Sequence, residues 1–208
     1  YAQRFEAALE GDAWSAYRYV RTSLAGGFSG FLRTAEDHAI LSLSPERFLR
    51  IHQGTVTSQP IKGTAPRHVD PEQDAALAQA LLNSEKDRAE NVMITDLLRN
   101  DLGQFCQTGS VNVTELCGLH SYNNVHHLVS TVEGKLAPGV SAGQMLLATS
   151  PGGSITGAPK KRAVEIIAEL EPAPRGAYCG SLFILGGDNW LQSSICLLYT
   201  SPSPRDNR

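Results

Sequence analysis

The sequence predicts an α+β fold, and three observations carry that prediction. Short β-patterned runs come in adjacent pairs joined by tight turns, helical stretches separate the pairs, and the two kinds do not alternate strictly. The 208 residues, 41% hydrophobic and 19% charged, suffice for one sizeable domain with a buried core. No internal repeat or long linker divides the chain, so residues 1–195 read as one partial domain.

The elements follow in order. Residues 12–24 place Trp14, Tyr17, Val20 and Leu24 at helical spacing behind Asp12, a residue suited to capping. Residues 28–33 and 39–43 read as one strand pair, and 48–52 and 55–58 as a second across Gln53-Gly54. Pro71, tolerated in a first turn, opens a helix to about Leu82. Residues 86–105 carry the strongest helical pattern. Residues 111–119 and 124–134 pair as strands. Alternation puts Val125, His127, Val129 and Thr131 on one face and His126, Leu128, Ser130 and Val132 on the other. A short helix follows at 142–148. An amphipathic one at 159–170 has Ala163, Ile166, Ile167 and Leu170 along one stripe. Residues 177–185 and 190–195 finish as strands.

The chain opens on Tyr1 rather than Met and is expected to be truncated at both ends. From Cys196 the character changes to Leu-Leu-Tyr-Thr-Ser-Pro-Ser-Pro, whose prolines remove ladder donors. Residues 196–208 are therefore expected to be a tail foreign to the fold.

Bulk properties exclude several classes. A net charge of −3 with dispersed Lys and Arg leaves no nucleic-acid footprint. No apolar run would span a bilayer and no leader pattern precedes the domain, so no membrane partner is expected. Cys106, Cys117, Cys179 and Cys196 form no Cys-x-x-Cys pair and read as reduced thiols of a cytoplasmic protein.

Chemistry concentrates at a few positions. Lys62, in Pro60-Ile61-Lys62-Gly63-Thr64, reads as a basic side chain in a loop, and Glu46 precedes it in Leu43-Ser44-Pro45-Glu46-Arg47-Phe48. An amine that can add to an electrophilic carbon, with an acid that can protonate a leaving hydroxyl, makes covalent substitution chemistry available. Alone, such a lysine reads as a solvated turn residue. Glu90 shares a helical face with Met93, Ile94, Leu97 and Asp101. It reads either as a carboxylate ligand of Mg²⁺ or as a helix-edge partner of Arg99 or a neighbouring lysine. Adjacent strand positions point His126 and His127 to opposite faces, so at most one of them meets a given site. Gly152 through Pro159 leads into a helix start. It lacks the Lys and Ser/Thr of a phosphate loop, which leaves two readings: a carboxylate cradle with Thr156 donating, or a plain capped start.

Together these segments resemble the chorismate-utilising enzymes, the group that includes anthranilate synthase component I. The likeness runs through residues 41–48, 60–64, 86–91, 96–101, 125–130 and 151–160. It covers nearly all of residues 1–195 in order. The resemblance implies antiparallel sheets packed face to face with helices outside. At the third position of Pro-Ile-x-Gly-Thr the anthranilate-forming branch carries alanine and the aminodeoxychorismate-forming branch lysine, so Lys62 points to the second.

The implied activity converts chorismate and ammonia to 4-amino-4-deoxychorismate, a precursor of 4-aminobenzoate and folate. Lys62 would be the covalent nucleophile and Glu46 the acid. A glutamine amidotransferase subunit would supply the ammonia and Mg²⁺ would be the cofactor. Glu90 would bind the metal. Gly63, Thr64, His127, Thr156 and Tyr178 would contact substrate, with Gly153 and Gly157 shaping the pocket. The lysine role requires a neutral amine, which an unperturbed lysine offers in only about one molecule in two thousand at pH 7. Glu46 must shift the other way, upward. A second metal glutamate and a carboxylate-pairing arginine are expected after Ile195, so the chain alone is expected to be inactive. An anthranilate-forming enzyme and a non-catalytic ligand-binding relative are the alternatives that Lys62 and Glu46 argue against.

Overall fold

The Oδ1 atom of Asp12 accepts the amides of Trp14 and Ser15, each at 3.0 Å, and so starts α1 (Ala13–Ser23). The structure, a computed structural model, describes residues 2–5, 7–23 and 27–200, with residues 23 and 198–200 described through their backbone only. Leu24, expected at the end of this helix, lies outside the described residues.

After α1 come β1 (Gly30–Ala35), β2 (His38–Leu43), β3 (Arg47–His52), β4 (Thr55–Gln59) and β5 (Ile61–Pro66). Two helices follow, α2 (Pro71–Asn83) and α3 (Glu85–Gly103), each with a side-chain N-cap, from Asp70 and Ser84. The long hairpin β6 (Asn112–Ser121) and β7 (Val125–Lys135) leads to α4 (Ala142–Thr149), α5 (Gly153–Thr156) and α6 (Lys160–Leu170). Strands β8 (Ser181–Leu185), β9 (Leu191–Ile195) and β10 (Leu198–Thr200) close the described chain.

Every strand pairing is antiparallel, in a three-stranded sheet β1-β2-β10 and a seven-stranded sheet β5-β7-β4-β3-β9-β8 with β6 also on β7. Strands β4 and β5 share one edge of β7, residues 55–58 facing 135–132 and residues 61–66 facing 129–125. The break between them is Pro60, which has no amide to donate; its carbonyl takes the Ser130 N–H at 3.2 Å. The expected loop around Lys62 is therefore a strand. Local turn chemistry suggested otherwise, but the ladder to β7 decides it, with an irregularity between Ile61 and Thr64. Gly63 sits in that irregularity at φ +91°, and a Cβ there would lie 2.9 Å from Asp87 Cβ.

The helix α3 is the spine of the larger core. Ile94, Leu98 and Leu102 pack with Phe48, Ile51, Val56, Val132, Met145, Leu191 and Ile195. A smaller cluster of Tyr17, Ala39, Leu41 and Leu43 joins α1 to the three-stranded sheet. Two other expectations change. Residues 177–180 form a turn rather than the start of a strand, held by the Gly180 amide on Ala177 O at 2.9 Å. Helix α6 has the expected span but buries none of its residues; Ile166 and Leu170 of the expected stripe stay 38% and 63% exposed.

Near the expected tail, Cys196 is buried, donates to Gly180 O at 2.9 Å and accepts from the Cys179 amide at 2.8 Å. The β10 backbone then pairs with β2 before the first proline of the Ser-Pro run. Residues 201–208 lie outside the described residues. The four cysteines are free and buried. No described helix is long and apolar enough to cross a membrane.

Candidate active site

Glu46 lies in the short link between β2 and β3, and Lys62 is the second residue of β5. Chain distance separates them, but α5 joins them. The Lys62 Nζ donates to the Ser154 carbonyl at 2.8 Å, while the Ser154 side chain hydrogen-bonds the Glu46 carboxyl. Glu46 is 4% exposed. Burial pushes its carboxyl up to about 7, against the opposing pull of Ser154, the Lys62 charge and the Ile61 amide. A carboxyl with that pKa carries a proton on roughly half of molecules at neutral pH, as a general acid needs.

Behind Lys62 stands Asn91 of α3, fully buried. Its side-chain amide donates to Leu128 O at 3.0 Å and to Lys62 O at 3.4 Å. Its Oδ1 accepts from Ser130 Oγ and from Thr95 Oγ1. One amide thus fixes the β5 backbone at Lys62 against β7, with its own polar atoms satisfied.

The two histidines diverge as alternation requires. His126 faces the helices, with Nε2 3.1 Å from Asp74 Oδ1 and Nδ1 2.7 Å from Ser121 Oγ. His127 lies on the opposite face of β7, its Nδ1 2.9 Å from Thr64 Oγ1, with Tyr122 edge-on at 5.7 Å. Burial lowers the His127 pKa and His120 adds to this, against the Gly63 carbonyl that accepts its N–H. The expected substrate contacts therefore divide. Glu46 and Lys62 share α5, whereas Thr64 and His127 form a pair of their own, linked to Lys62 through the Gly63 backbone.

The glycine-rich segment is packed more tightly than an open cradle. A Cβ on Gly152 would lie 2.7 Å from Ile195 Cδ1, and one on Gly153 2.5 Å from Leu97 Cδ2. Gly157 ends α5 at φ +128°. The Thr156 hydroxyl donates to Gly152 O at 2.9 Å, so its one proton is engaged within the turn. Tyr178 lies in the turn before β8, with the Arg175 guanidinium 5.9 Å from its ring centre; burial raises its hydroxyl pKa. Arg175 in turn holds Glu171 through two bonds of 2.6 and 2.8 Å and the Ile155 carbonyl of α5 at 3.2 Å.

Glu90 is half-buried on α3, next to Asn91. It does not pair with Arg99, which bonds Asp96 at 3.0 Å instead. Its carboxylate oxygens suit Mg²⁺, but among the described residues no three His, Cys, Asp or Glu side chains converge on a metal position. Glu90 alone is one ligand, not a cage.

Sequence reasoning missed Ser154, Asn91, Arg175 and Lys160. Ser154 and Lys160 lie inside or beside the glycine-rich segment, and Asn91 follows Glu90. The available signal was a run of polar residues, Asn91, Thr95 and Asp101, on the buried side of an otherwise apolar helix.

Comparison with known proteins matches residues 1–197 to the family described as chorismate binding enzyme. Aminodeoxychorismate synthase component 1 of Klebsiella aerogenes is 53% identical over 94% of this chain and 43% of its own length. The protein of that name from Salmonella typhimurium is 50% identical over the same shares. Among solved structures, anthranilate synthase component I from Streptococcus pneumoniae superposes with a TM-score of 0.85 at 35% identity, covering 95% of this chain and 43% of that one. The chain thus spans less than half the length of these relatives.

Proposed function

We propose, from the premise that this chain belongs to the chorismate-binding enzymes, that it contributes the acid and the amine for converting chorismate and ammonia to 4-amino-4-deoxychorismate. The observation that carries the reading is one turn of helix, α5, which touches both groups: the Lys62 Nζ through the Ser154 carbonyl and the Glu46 carboxyl through its side chain. Binding alone requires neither a nucleophile nor an acid. A lysine at the third position of Pro-Ile-x-Gly-Thr further favours the aminodeoxychorismate outcome over anthranilate.

In the proposed reaction the neutral Lys62 amine forms a bond to ring carbon C2. The double bond shifts, the C4 hydroxyl departs, and the Glu46 proton leaves with it as water. Ammonia then bonds to C4 and gives a proton back to Glu46, while the C2–nitrogen bond breaks and releases Lys62. Burial raises the Glu46 carboxyl to about 7, so it can hold at neutral pH the proton that the departing hydroxyl takes. General-acid assistance of this kind contributes a factor of about 10² to 10⁴.

Glu90 is proposed as one ligand of Mg²⁺, with water and substrate oxygens in the remaining positions. When bound, the ion supplies positive charge for substrate carboxylates. Gly63, Thr64, His127, Thr156 and Tyr178 are proposed to contact the substrate, and Gly153 and Gly157 to shape its pocket. A glutamine amidotransferase is proposed to deliver ammonia in the cytoplasm, with 4-aminobenzoate and folate as the destination. With one candidate carboxylate for the metal among the described residues, the 208-residue chain alone is proposed to lack turnover.

The test uses the full-length product of the gene with chorismate, Mg²⁺ and ammonia, products being separated by chromatography. Aminodeoxychorismate is expected from the unaltered enzyme and none from Lys62→Ala. Anthranilate as the main product of the unaltered enzyme would reverse the assignment.

A further inference from the structure

One part-buried ion pair has no part in the chemistry above. Lys160, the first residue of α6, places Nζ 2.5 Å from Asp101 Oδ2 on α3, with the two side chains 19% and 11% exposed. The same ammonium donates to the Thr149 carbonyl at 3.0 Å. Residues 149 and 160 are the two stems of the loop that carries α5.

We propose that Lys160 is a positioning residue for the acid–amine pair: it closes the 149–160 loop onto α3 and so holds Ser154 between Lys62 and Glu46. This rests on the reading of Lys62 and Glu46 as the reacting amine and acid. The physical argument starts from the size of α5. A single turn, with the Gly157 amide on Gly153 O at 3.1 Å, cannot keep its position through its own hydrogen bonds. Its placement comes from its surroundings. Gly152 fits against Ile195 and Phe48, and Gly153 against Leu97 of α3. Arg175 holds Ile155 O from one side. A further constraint acts at the stems, where one ammonium joins the end of α4, the start of α6 and the body of α3. Without it the stems are untied from α3 and the Ser154 carbonyl is held less firmly against Nζ.

A purely structural pair would stabilise the protein without affecting Lys62 in particular, and the two cases separate by experiment. The folded chain is pulsed with acetic anhydride and each lysine is read by mass spectrometry, Lys62 being expressed relative to exposed Lys135. Loss of one ordinary hydrogen bond corresponds to about a fivefold change, so Lys160→Met is expected to raise the Lys62 ratio by about that factor. Lys160→Arg, which keeps the charge, is expected to leave it near the original value. Because Lys160→Met leaves Asp101 buried without a partner, the double variant Asp101→Asn, Lys160→Met is made beside it. It removes the stranded charge without restoring a bond to residue 160 and is expected to show the same rise.

An unchanged Lys62 ratio in either folded variant overturns the proposal. So does an equal rise in Lys160→Arg, or a rise at Lys86, Lys135 and Lys62 together, which would mark general loosening. Labelling needs no turnover, so failure here leaves the proposed reaction standing, and failure of that reaction leaves the labelling result interpretable.

Discussion

Glu46 has its carboxyl raised from 4.5 to about 7, and burial is the first cause. The folded state therefore holds a proton more tightly than the unfolded chain. That contribution to stability is complete below pH 4.5 and is lost as pH rises through about 7. At about 1.36 kcal/mol per unit, the loss amounts to about 3 kcal/mol. Glu46→Gln should remove it: urea denaturation at pH 5 and pH 8 should show the unaltered chain losing most of this relative to the variant. Parallel pH curves for the two proteins would contradict the buried-acid reading. Asn91 offers a second test at this scale. Asn91→Leu removes an amide that satisfies Lys62 O, Leu128 O and Ser130 Oγ. Stranding buried partners costs about 1–3 kcal/mol each, so a clear drop in the urea midpoint is expected.

At the scale of elements, β5 carries the information that turn chemistry concealed. Pro60 and Gly63 look like loop residues in a string. In the sheet, Pro60 marks where β4 leaves off and Gly63 accommodates the irregularity in the β7 pairing. Gly63→Ala should therefore be destabilising, because φ +91° disfavours a side chain and the new Cβ meets Asp87 Cβ at 2.9 Å. An expected cost of about 1–3 kcal/mol would appear as a lowered melting temperature, and an unchanged melt would argue against the strained strand. Helix α6 gives the opposite lesson. Its 3.6-residue periodicity predicted the helix correctly, but periodicity says nothing about which neighbour covers the apolar stripe.

For the whole molecule, the largest of the three hydrophobic clusters and the one under α1 differ in size and imply unequal stability. The α3-centred core joins β3, β4, β7, β9 and α4, whereas Tyr17, Ala39, Leu41 and Leu43 form a small group under α1. Amide hydrogen exchange should find β7 and the centre of α3 slowest, with α1, β1 and β2 opening first. Uniform protection across both would contradict that division. The seven-stranded sheet also explains why the candidate site sits where it does. Strands β4 and β5 divide one edge of β7, and Lys62 lies just past the division, where α3 and α5 close over it.

The sequence by itself determined the α+β class, most element positions and the opposite orientations of His126 and His127, and family resemblance pointed to Lys62 and Glu46 as candidates. These are properties of local pattern: apolar periodicity, capping residues, alternation along a strand, and short motifs. Only the tertiary structure decided that the Lys62 segment is a strand, that Ser154 joins acid to amine, and that Lys160 ties the α5 loop to Asp101. Each of those depends on atoms brought within hydrogen-bonding distance from 59 or more residues apart. Burial, which raises Glu46, is likewise a sum over the surrounding elements, and no residue type or spacing states it in advance.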